Sequence, residues 1–425
     1  MRLVYLCLAY LLVPIALAAE LVRGLGERAR WRHLGERFGR GAVLAQGGLW
    51  VHAVSVGEVQ AAATLLRALR ARDPSATLLL TTSTVTGRAR AEALVGAEAS
   101  VCYLPYDLPG SVARFLDRAR PRLGIVLETE LWPNLYAAAH RRRIPMILAS
   151  ARLSERSVRR YRRLGGLLRE TLAGVDVAAQ SAADAARFVA VGAEPARTLV
   201  LGNLKFDYRP AEDVIVRARV LREALGAGRP VWVAGSTHDG EEDQVLAAHA
   251  RLCARSSDAL LVLAPRHPPR FAAVAARLAK GDAPWVARST AAAVTADTRV
   301  LLLDSLGELM GYYAAADVAF VGGSLVPVGG HNLLEPASLG RPVIAGPHTF
   351  SDLAVTRLLA EAGALTVVED AAGLATAVAA FLDDPALARA AGERGRMAVV
   401  ANEGALARLV ELVELVERRA TPAAT

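Results

Sequence analysis

The fold of this chain is indicated most clearly by one stretch, Val321-Gly322-Gly323-Ser324-Leu325-Val326-Pro327-Val328-Gly329-Gly330-His331-Asn332-Leu333-Leu334-Glu335-Pro336-Ala337. The apolar run that leads into it is typical of a buried parallel strand. Two glycine pairs then let the backbone turn sharply and approach a ligand closely. The Glu-Pro pair predicts a new helix, because proline is tolerated in the first turn. Since N–H groups at a helix start attract phosphate, the stretch favours a sugar-nucleotide site.

The polar side chains of this stretch strengthen that interpretation. Glu335 can accept two hydrogen bonds from a ribose diol, and His331 and Asn332 offer neutral donors. Two glycine pairs alone would more often mark an ordinary surface loop. The His-Asn and Glu-Pro pairs, at this spacing after a strand, favour the ligand site.

Length and composition predict two globular domains. The chain has 425 residues, of which 53% are hydrophobic and 22% charged. That is too long for a single core and too apolar for a disordered chain. The three cysteines are far apart and form no CxxC pair, so neither a zinc site nor a disulfide framework is indicated.

The two halves of the chain differ in charge. Residues 1–205 carry 29 Lys and Arg against 16 Asp and Glu, or +13, and residues 206–425 carry 21 against 26, or −5. The basic half predicts an anionic partner such as a membrane surface or a phosphorylated substrate. No recognised nucleic-acid motif accompanies these charges, so we predict no nucleic-acid partner.

The N-terminus predicts a membrane anchor. Leu3 to Ala19 is an uncharged run of 17 residues, which is short for a spanning helix, and Ala16-Leu17-Ala18 also fits a cleaved signal peptide. Several arginines between Arg23 and Arg40 follow the run and only Arg2 precedes it. By the positive-inside rule we predict a single-pass anchor over residues 1–22, with the body of the protein in the cytoplasm.

From Leu49 onward, apolar runs alternate with amphipathic helical stretches, which predicts an α/β fold with parallel sheets. We predict two doubly wound Rossmann-like domains facing a cleft, over residues 23–208 and 209–417, joined near 207–213, with a flexible tail over 418–425. Ligands in such sheets bind outside the carboxyl ends of the strands. The predicted strands are Leu49–Val54, Thr77–Thr82, Gly124–Leu127, Pro145–Ala149, Thr198–Leu201, Val231–Ala234, Ala259–Ala264, Val300–Leu303, Val318–Val321 and Val343–Ala345.

In the first domain, polar loops follow the predicted strands. Glu58 starts a helix after the first strand; it either favours the helix dipole or acts as a base, which the helix N-terminus would hold ionised at some loss of basicity. The hydroxyl-rich loop ending at Arg88 suits an anionic ligand or an ordinary cap equally well. Glu128 and Glu130 lie beside Trp132, which indicates either a helix cap or a site.

In the second domain, Gly235-Ser236-Thr237-His238, Arg266 with His267, and Leu306-Gly307-Glu308 each follow a predicted strand. The chain contains no Asp-x-Asp motif, which is the metal-binding signature of many sugar-nucleotide enzymes. A leaving monophosphate needs less charge neutralisation than a diphosphate, so basic side chains and helix N-termini could suffice. We therefore predict no metal.

The motifs together resemble those of the Kdo transferases, where Kdo is 3-deoxy-D-manno-octulosonic acid. The resemblance implies a GT-B fold and transfer of Kdo from CMP-Kdo to a phosphorylated lipid A precursor at the cell inner membrane, without metal or cofactor. It covers nearly the whole chain to about Phe350 and rests on Trp50-Val51-His52-Ala53-Val54-Ser55-Val56-Gly57-Glu58, Glu128-Thr129-Glu130-Leu131-Trp132-Pro133-Asn134, Gly202-Asn203-Leu204-Lys205-Phe206-Asp207, Pro265-Arg266-His267-Pro268 and Gly329-Gly330-His331-Asn332.

The resemblance also implies residue roles. Glu58 resembles the catalytic base, Arg266 and His267 resemble donor-phosphate contacts, and Asn332 to Glu335 resembles the main CMP segment. The family often has proline where this chain has Leu333, which should alter loop stiffness more than chemistry. The implied donor-binding residues are Arg266, His267, Leu306, Gly307, Glu308, Ser324, Gly330, His331, Asn332, Leu333, Leu334 and Glu335.

Acceptor or substrate-anion contacts are predicted at Ser55, Gly57, Arg88, Glu128 and Lys205. Lys205 stands out because only it and Lys280 are lysines among the 50 basic residues. Two other functions remain open: a GT-B transferase that uses a uridine sugar nucleotide, and a non-catalytic membrane-associated binding protein.

Overall fold

The computed structural model describes residues 1–24, 33–41, 46–207, 212–255 and 258–420. It divides into two compact units, Met1–Asp207 with Glu403–Thr425, and Tyr208–Asn402. Each unit is built on a parallel sheet that has seven strands in the described part of the chain, with helices between them. The prediction of two Rossmann-like α/β domains is confirmed. The predicted join at 207–213 falls mostly on residues outside the described ranges.

The first unit begins with helix α1 (Arg2–Gly24). Its strands are β1 (Leu49–His52), β2 (Leu78–Thr82), β3 (Ser100–Tyr103), β4 (Leu123–Leu127), β5 (Met146–Ala151), β6 (Asp176–Ala179) and β7 (Thr198–Val200). Its further helices are α2 (Val56–Arg72), α3 (Val85–Val95), α4 (Pro109–Ala119), α5 (Pro133–Arg141), α6 (Glu155–Arg162), α7 (Gly166–Leu172) and α8 (Ala182–Val191).

The second unit repeats this plan. Its strands are β8 (Val231–Thr237), β9 (Leu260–Pro265), β10 (Trp285–Ala287), β11 (Val300–Leu302), β12 (Val318–Val321), β13 (Val343–Ala345) and β14 (Leu365–Val367). Its helices are α9 (Glu212–Leu225), α10 (Glu241–Cys253), α11 (Phe271–Leu278), α12 (Leu309–Ala315), α13 (Leu334–Ser338), α14 (Leu353–Glu361), α15 (Ala371–Asp383) and α16 (Pro385–Ala401). Helix α17 (Ala405–Ala420) follows and belongs to the first unit.

Strand β1 shows why apolar runs become central strands. All four of its residues are buried, because helices cover both faces of the sheet. Successive side chains point to opposite faces, so Trp50 joins one core cluster while Leu49 and Val51 join the other. Gly124 on the neighbouring strand makes room for the indole: a Cβ there would lie 2.8 Å from Trp50 Cε3.

The strand orders place a crevice in each sheet. The first sheet runs β3-β2-β1-β4-β5-β6-β7. The side of the sheet on which successive strands are added therefore reverses between β1 and β4. The second runs β10-β11-β9-β8-β12-β13-β14, with the reversal between β8 and β12. Ligands of doubly wound sheets bind at this switch point, outside the carboxyl ends of the strands.

The last helix differs from the predicted domain boundaries, which placed residues 209–417 in the second domain. Leu409, Leu412 and Val413 are buried in the core of the first unit. Asp207 caps the helix, since its carboxylate accepts hydrogen bonds from the amides of Gly404 at 2.6 Å and Leu406 at 2.7 Å. The predicted tail from 418 is helical to Ala420, and residues 421–425 lie outside the described part.

The predicted membrane anchor is not supported. Among the described residues no single helix is both long and apolar enough to cross a membrane, and the apolar part of α1, Arg2–Ile15, is too short. One pair of helices, Ala371–Asp383 with Pro385–Ala420, passes on length and composition but is bent by 104°. Residues 25–32, which hold several of the arginines used for the prediction, lie outside the described part.

Candidate functional site

Glu58 lies at the carboxyl end of β1, in the first turn of α2. Its Oε2 accepts a hydrogen bond from the Val54 amide at 2.9 Å, and its Oε1 accepts one from the Ser55 hydroxyl at 3.0 Å. Ser55 is also the N-cap of α2, and its hydroxyl accepts from the Glu58 amide. This reciprocal arrangement resembles a capping box and holds the carboxylate in one orientation at the switch point of the first sheet.

The environment of Glu58 changes its acidity. Burial, together with the nearby carboxylates of Glu128 and Glu130, raises the pKa of the Glu58 carboxyl from 4.5 to about 7. The hydrogen bonds from Val54 and Ser55 act in the opposite direction but do not cancel these effects. We expected the helix N-terminus to hold Glu58 ionised with reduced basicity, but burial is the largest effect on the carboxyl group and its pKa is raised. The result is a carboxylate whose basicity suits proton transfer near neutral pH.

Glu128 follows β4, on the other side of the switch point. Its φ is 58°, in the left-handed region that residues with side chains seldom adopt. Its carboxylate pairs with two cations, Lys205 Nζ at 3.3 Å and Arg152 Nε at 3.4 Å. Burial also raises the pKa of nearby Glu130, whose carboxylate accepts a hydrogen bond from Trp132. Acidic and basic side chains therefore converge beside Glu58 from three strand ends.

The other predicted acceptor residues differ in whether a ligand can reach them. Gly57 is exposed, and a Cβ there would meet no atom within 4 Å, so open space lies next to Glu58. Arg88 instead is buried: its guanidinium pairs with Glu36 and with Glu92, and lies over the Tyr103 ring at 5.0 Å. The predicted ligand contact of Arg88 finds no support, because its charge is already neutralised inside the fold.

In the second unit, the predicted donor segments and the loop that carries His238 follow four adjacent strands. The sheet order β11-β9-β8-β12 places Leu306 to Glu308, Arg266 with His267, His238, and the glycine stretch side by side at the carboxyl edge. His267 is exposed and Arg266 is half-buried. The His267 ring meets the His238 ring edge-on, with 5.2 Å between centroids. The structure thus brings together segments that are up to about a hundred residues apart in sequence.

The loop Val321–Gly330, called the glycine loop here, closes against a pair of histidines. His331 stacks on His238 with 5.0 Å between ring centroids, and their Nε2 atoms are 2.7 Å apart, so one proton is shared between them. Burial lowers the pKa of His331 to about 3, helped by Arg266 and His238, so this imidazole is neutral at pH 7. Gly323 is required here, because its φ is +69° and a Cβ would lie 2.9 Å from the His331 ring.

Asn332 to Glu335 form the start of α13. Asn332 accepts a hydrogen bond from the Leu334 amide at 3.1 Å and donates one to Glu335 Oε1 at 3.3 Å. Asn332 is exposed and Glu335 half-buried, so both side chains can reach a ligand, whereas Leu333 and Leu334 are buried. Leu333 and Leu334 could therefore contact a donor only through backbone groups, and their side chains pack inside the fold.

Two further predicted donor residues already have partners. Ser324 is fully buried; its hydroxyl donates to the Val321 carbonyl and accepts from the Gly346 amide, so it builds the loop and does not face a ligand. Glu308 binds Arg288 through two guanidinium nitrogens at 3.0 and 3.2 Å. The neighbouring Leu306 and Gly307 are exposed, so this turn offers an apolar surface next to the ion pair of Arg288 and Glu308.

Two residues that lie at this edge were not predicted as site residues. His238 was noted only as part of a polar loop, and its contact with His331 depends on strand order that a single sequence does not reveal. Glu241 begins the helix after that loop, and no local motif in the sequence marks it as a site residue. In the described part of the chain, no group of three His, Cys, Asp or Glu side chains is arranged to hold a metal ion.

Several solved structures have a similar fold. A UDP-GlcNAc 2-epimerase of Neisseria meningitidis bound to UDP-GlcNAc matches 87% of this chain and all of its own, with a TM-score of 0.58 and 13% identity. A glycosyltransferase of Rickettsia africae matches 88% of this chain and 99% of its own, with a TM-score of 0.56 and 12% identity. At these identities the similarity shows the fold alone.

Sequence comparison is more specific. Residues 32–208 match the family model described as 3-deoxy-D-manno-octulosonic-acid transferase (kdotransferase). The chain is 41% identical to the 3-deoxy-D-manno-octulosonic acid transferase of Haemophilus influenzae over 86% of both chains. It is 42% identical to that of Bordetella pertussis over 89% of this chain and 90% of the relative. The chain therefore belongs to the 3-deoxy-D-manno-octulosonic acid transferase family and is a glycosyltransferase.

Proposed function

We propose that the chain transfers Kdo from CMP-Kdo to a phosphorylated lipid A precursor in lipopolysaccharide synthesis, with inversion at the anomeric carbon and without a metal. The observation that carries this proposal is Glu58, a carboxylate held at a switch point with a pKa raised to about 7. The names of the relatives support the sugar that is transferred. The acidic and basic groups around Glu58 support an acceptor hydroxyl next to an anionic group.

In the proposed reaction, Glu58 takes the proton of the acceptor hydroxyl as that oxygen attacks the anomeric carbon of Kdo. The bond from this carbon to the phosphate oxygen of CMP breaks on the opposite face, and CMP leaves with the bonding electrons. The open space beside Gly57 admits the acceptor. Ser55 keeps the Glu58 carboxylate oriented through its hydroxyl.

The donor is proposed to lie along the carboxyl edge of the second sheet. Arg266 and His267 would bind the phosphate, and Glu335 would accept hydrogen bonds from the ribose hydroxyls. The neutral His331 would donate a hydrogen bond rather than a charge, which suits a group that leaves as a monophosphate. Leu306 and Gly307 would contact the nucleotide, because the turn that they form is exposed.

The first prediction concerns Glu58. Because a base must be ionised, kcat/KM of the wild-type chain should fall about tenfold per pH unit below about 7 and level off above it. Glu58→Gln should lose about a hundredfold or more in kcat with CMP binding nearly unchanged. Steady-state kinetics from pH 5.5 to 8.5, together with calorimetric titration of CMP, measure both effects.

Protein stability provides the control for this variant. The folded-state pKa of Glu58 is above its ordinary value of 4.5, so its ionisation costs stability as pH rises from about 4.5 to about 7. Glu58→Gln should therefore melt no lower than the wild type at pH 8. Turnover close to wild type in this variant would exclude Glu58 as the base.

The second prediction concerns Lys205, which the structure pairs with Glu128 beside Glu58. Lys205→Ala leaves Glu128 with Arg152 alone, so the negative charge near Glu58 is less neutralised and the pKa of Glu58 should rise further. The pH profile of kcat/KM should shift to higher pH. The matched control is Lys280→Ala, which removes the other lysine of the chain and lies in the second unit. A loss of activity at every pH without a shift would instead indicate a direct substrate contact of Lys205.

We further propose that the protein is peripheral to the cell inner membrane and contacts it through α1. This helix is held on the first unit by an ion pair of Arg2 with Glu170 and by a hydrogen bond from Tyr5 to Asp107 at 2.7 Å. Among the described side chains of this helix, large apolar ones are exposed: Leu3 is 77% and Leu11 64% exposed. An amphipathic helix of this kind binds in the headgroup region rather than across the bilayer.

The third prediction tests that surface. Leu3→Ser with Leu11→Ser should weaken binding to vesicles containing phosphatidylglycerol by about tenfold or more, because two large apolar side chains leave the interface. Leu199→Ser with Val200→Ser, which changes exposed apolar residues of β7, is the matched control. Vesicle co-sedimentation measures the binding, and equal effects in the two double variants would remove α1 from the membrane contact.

A further inference from the structure

Glu241 is a fully buried carboxylate at the carboxyl edge of the second sheet. It is the first residue of α10, a position where an acidic side chain usually faces solvent and favours the helix dipole. Here the side chain is 0% exposed. No lysine or arginine of the described residues lies within ion-pair distance of it, so its charge must be stabilised in another way.

Four backbone N–H groups stabilise this charge. Oε1 accepts from the amides of Ser324 at 2.9 Å and Leu325 at 2.8 Å. Oε2 accepts from the amides of Gly323 at 2.6 Å and His238 at 3.0 Å. A carboxylate offers about four lone-pair directions, and all of them are used. Hydrogen bonds to an ionised acceptor are about twice as strong as neutral ones, which offsets the cost of burial.

The amides of Gly323, Ser324 and Leu325 are consecutive, and consecutive amides that point to one centre form an anion-binding nest. We expected the backbone groups of this stretch to bind phosphate. In this part of the stretch the nest already holds an anion, the carboxylate of Glu241. A donor phosphate therefore has to be bound elsewhere along the edge, where the N–H groups at the start of α13 and the side chains of Arg266 and His267 lie.

Glu241 is also connected to both histidines of the stacked pair. The His238 amide donates to Glu241 directly. Gly323 donates its N–H to Glu241, and its carbonyl accepts from the amides of Gly329 at 3.1 Å and Gly330 at 2.7 Å. Since His331 follows Gly330 in the chain, one residue, Gly323, joins Glu241 to the segment that carries His331.

We propose that Glu241 is a positioning residue for the donor, on the basis of the proposed function above. Its carboxylate holds the glycine loop and the His238 loop in one conformation, so that the His238–His331 pair and the Asn332–Glu335 segment are in place before the donor binds. The nest then keeps the loop rigid in the free protein, so donor binding does not carry the entropy cost of ordering the loop.

Hydrogen exchange of the free protein tests this lock without any ligand. In Glu241→Gln, the amide oxygen can keep two of the four hydrogen bonds, and the new NH2 group faces the other two donors. Amides of the peptides 235–240 and 321–331 should then exchange about tenfold faster or more. Glu242→Gln is the matched control, because Glu242 is buried at the next position but pairs with Arg270, at 3.0 Å, and Thr237.

Kinetics distinguish positioning from a purely structural role. Glu241→Gln should raise KM for CMP-Kdo about tenfold with a smaller change in kcat, while Glu242→Gln leaves KM near the wild-type value. Unchanged exchange in the glycine loop, or faster exchange with an unchanged KM, would overturn the proposal. If Glu241→Gln does not fold, the same criteria apply to Glu241→Asp, which keeps the charge but shortens the reach.

Failure of the proposed function has a different signature. A wild-type chain that neither binds CMP nor turns over CMP-Kdo would overturn the assignment of the donor. The exchange experiment uses no ligand, so it would still report separately whether Glu241 holds the glycine loop.

Discussion

The reversal of strand order in each sheet is the constraint on which the functional groups depend. Parallel strands end at one edge, and the loops on the two sides of the reversal turn away from each other and leave a crevice. In the first unit this places Glu58 after β1 and Glu128 after β4. In the second it places His238 after β8 and the glycine loop after β12. Strand order thereby makes neighbours of residues that are far apart in sequence.

The carboxyl edges of the two sheets provide opposite environments for a buried carboxylate. Glu58 receives only two hydrogen bonds and lies near two other carboxylates, so burial dominates and its pKa is raised. Glu241 receives four backbone hydrogen bonds, which use its whole accepting capacity. The first arrangement leaves a group that can still accept a proton. The second leaves no lone-pair direction of the carboxylate free, which agrees with the chemical role proposed for Glu58 and the positioning role proposed for Glu241.

The sequence predicts the central strands well, since their apolar runs are continuous. It does not predict β6, because Asp176 interrupts the pattern, although the structure buries this side chain and pairs it with Arg197 and Arg419. Strands β10 and β14 are short edge strands that are only partly buried, and β3 begins with a polar residue at the sheet edge. Strands of this kind are identified only by their neighbours in the sheet.

The site residues also differ in how far the local sequence predicts them. Loops such as Ser55 to Glu58 and Asn332 to Glu335 combine a strand end with a helix start, and local sequence contains both signals. One of the two partners of Arg88, Glu36, lies 52 residues away in sequence, so the pairing that buries the guanidinium could not be predicted from the local sequence. Glu241 is likewise 82 residues from Gly323. Motifs thus identify where a ligand can bind, while long-range contacts decide which side chains remain available.

The most direct test of the central claim is a turnover assay of the full chain with CMP-Kdo and a lipid A precursor, in the presence of a metal chelator. Mass spectrometry of the lipid and chromatography of the nucleotide would follow both products. We predict that one CMP is released for each Kdo residue that the lipid gains, and that uridine sugar nucleotides give no product. Transfer from a uridine sugar nucleotide instead, or no transfer by the folded chain, would contradict the claim.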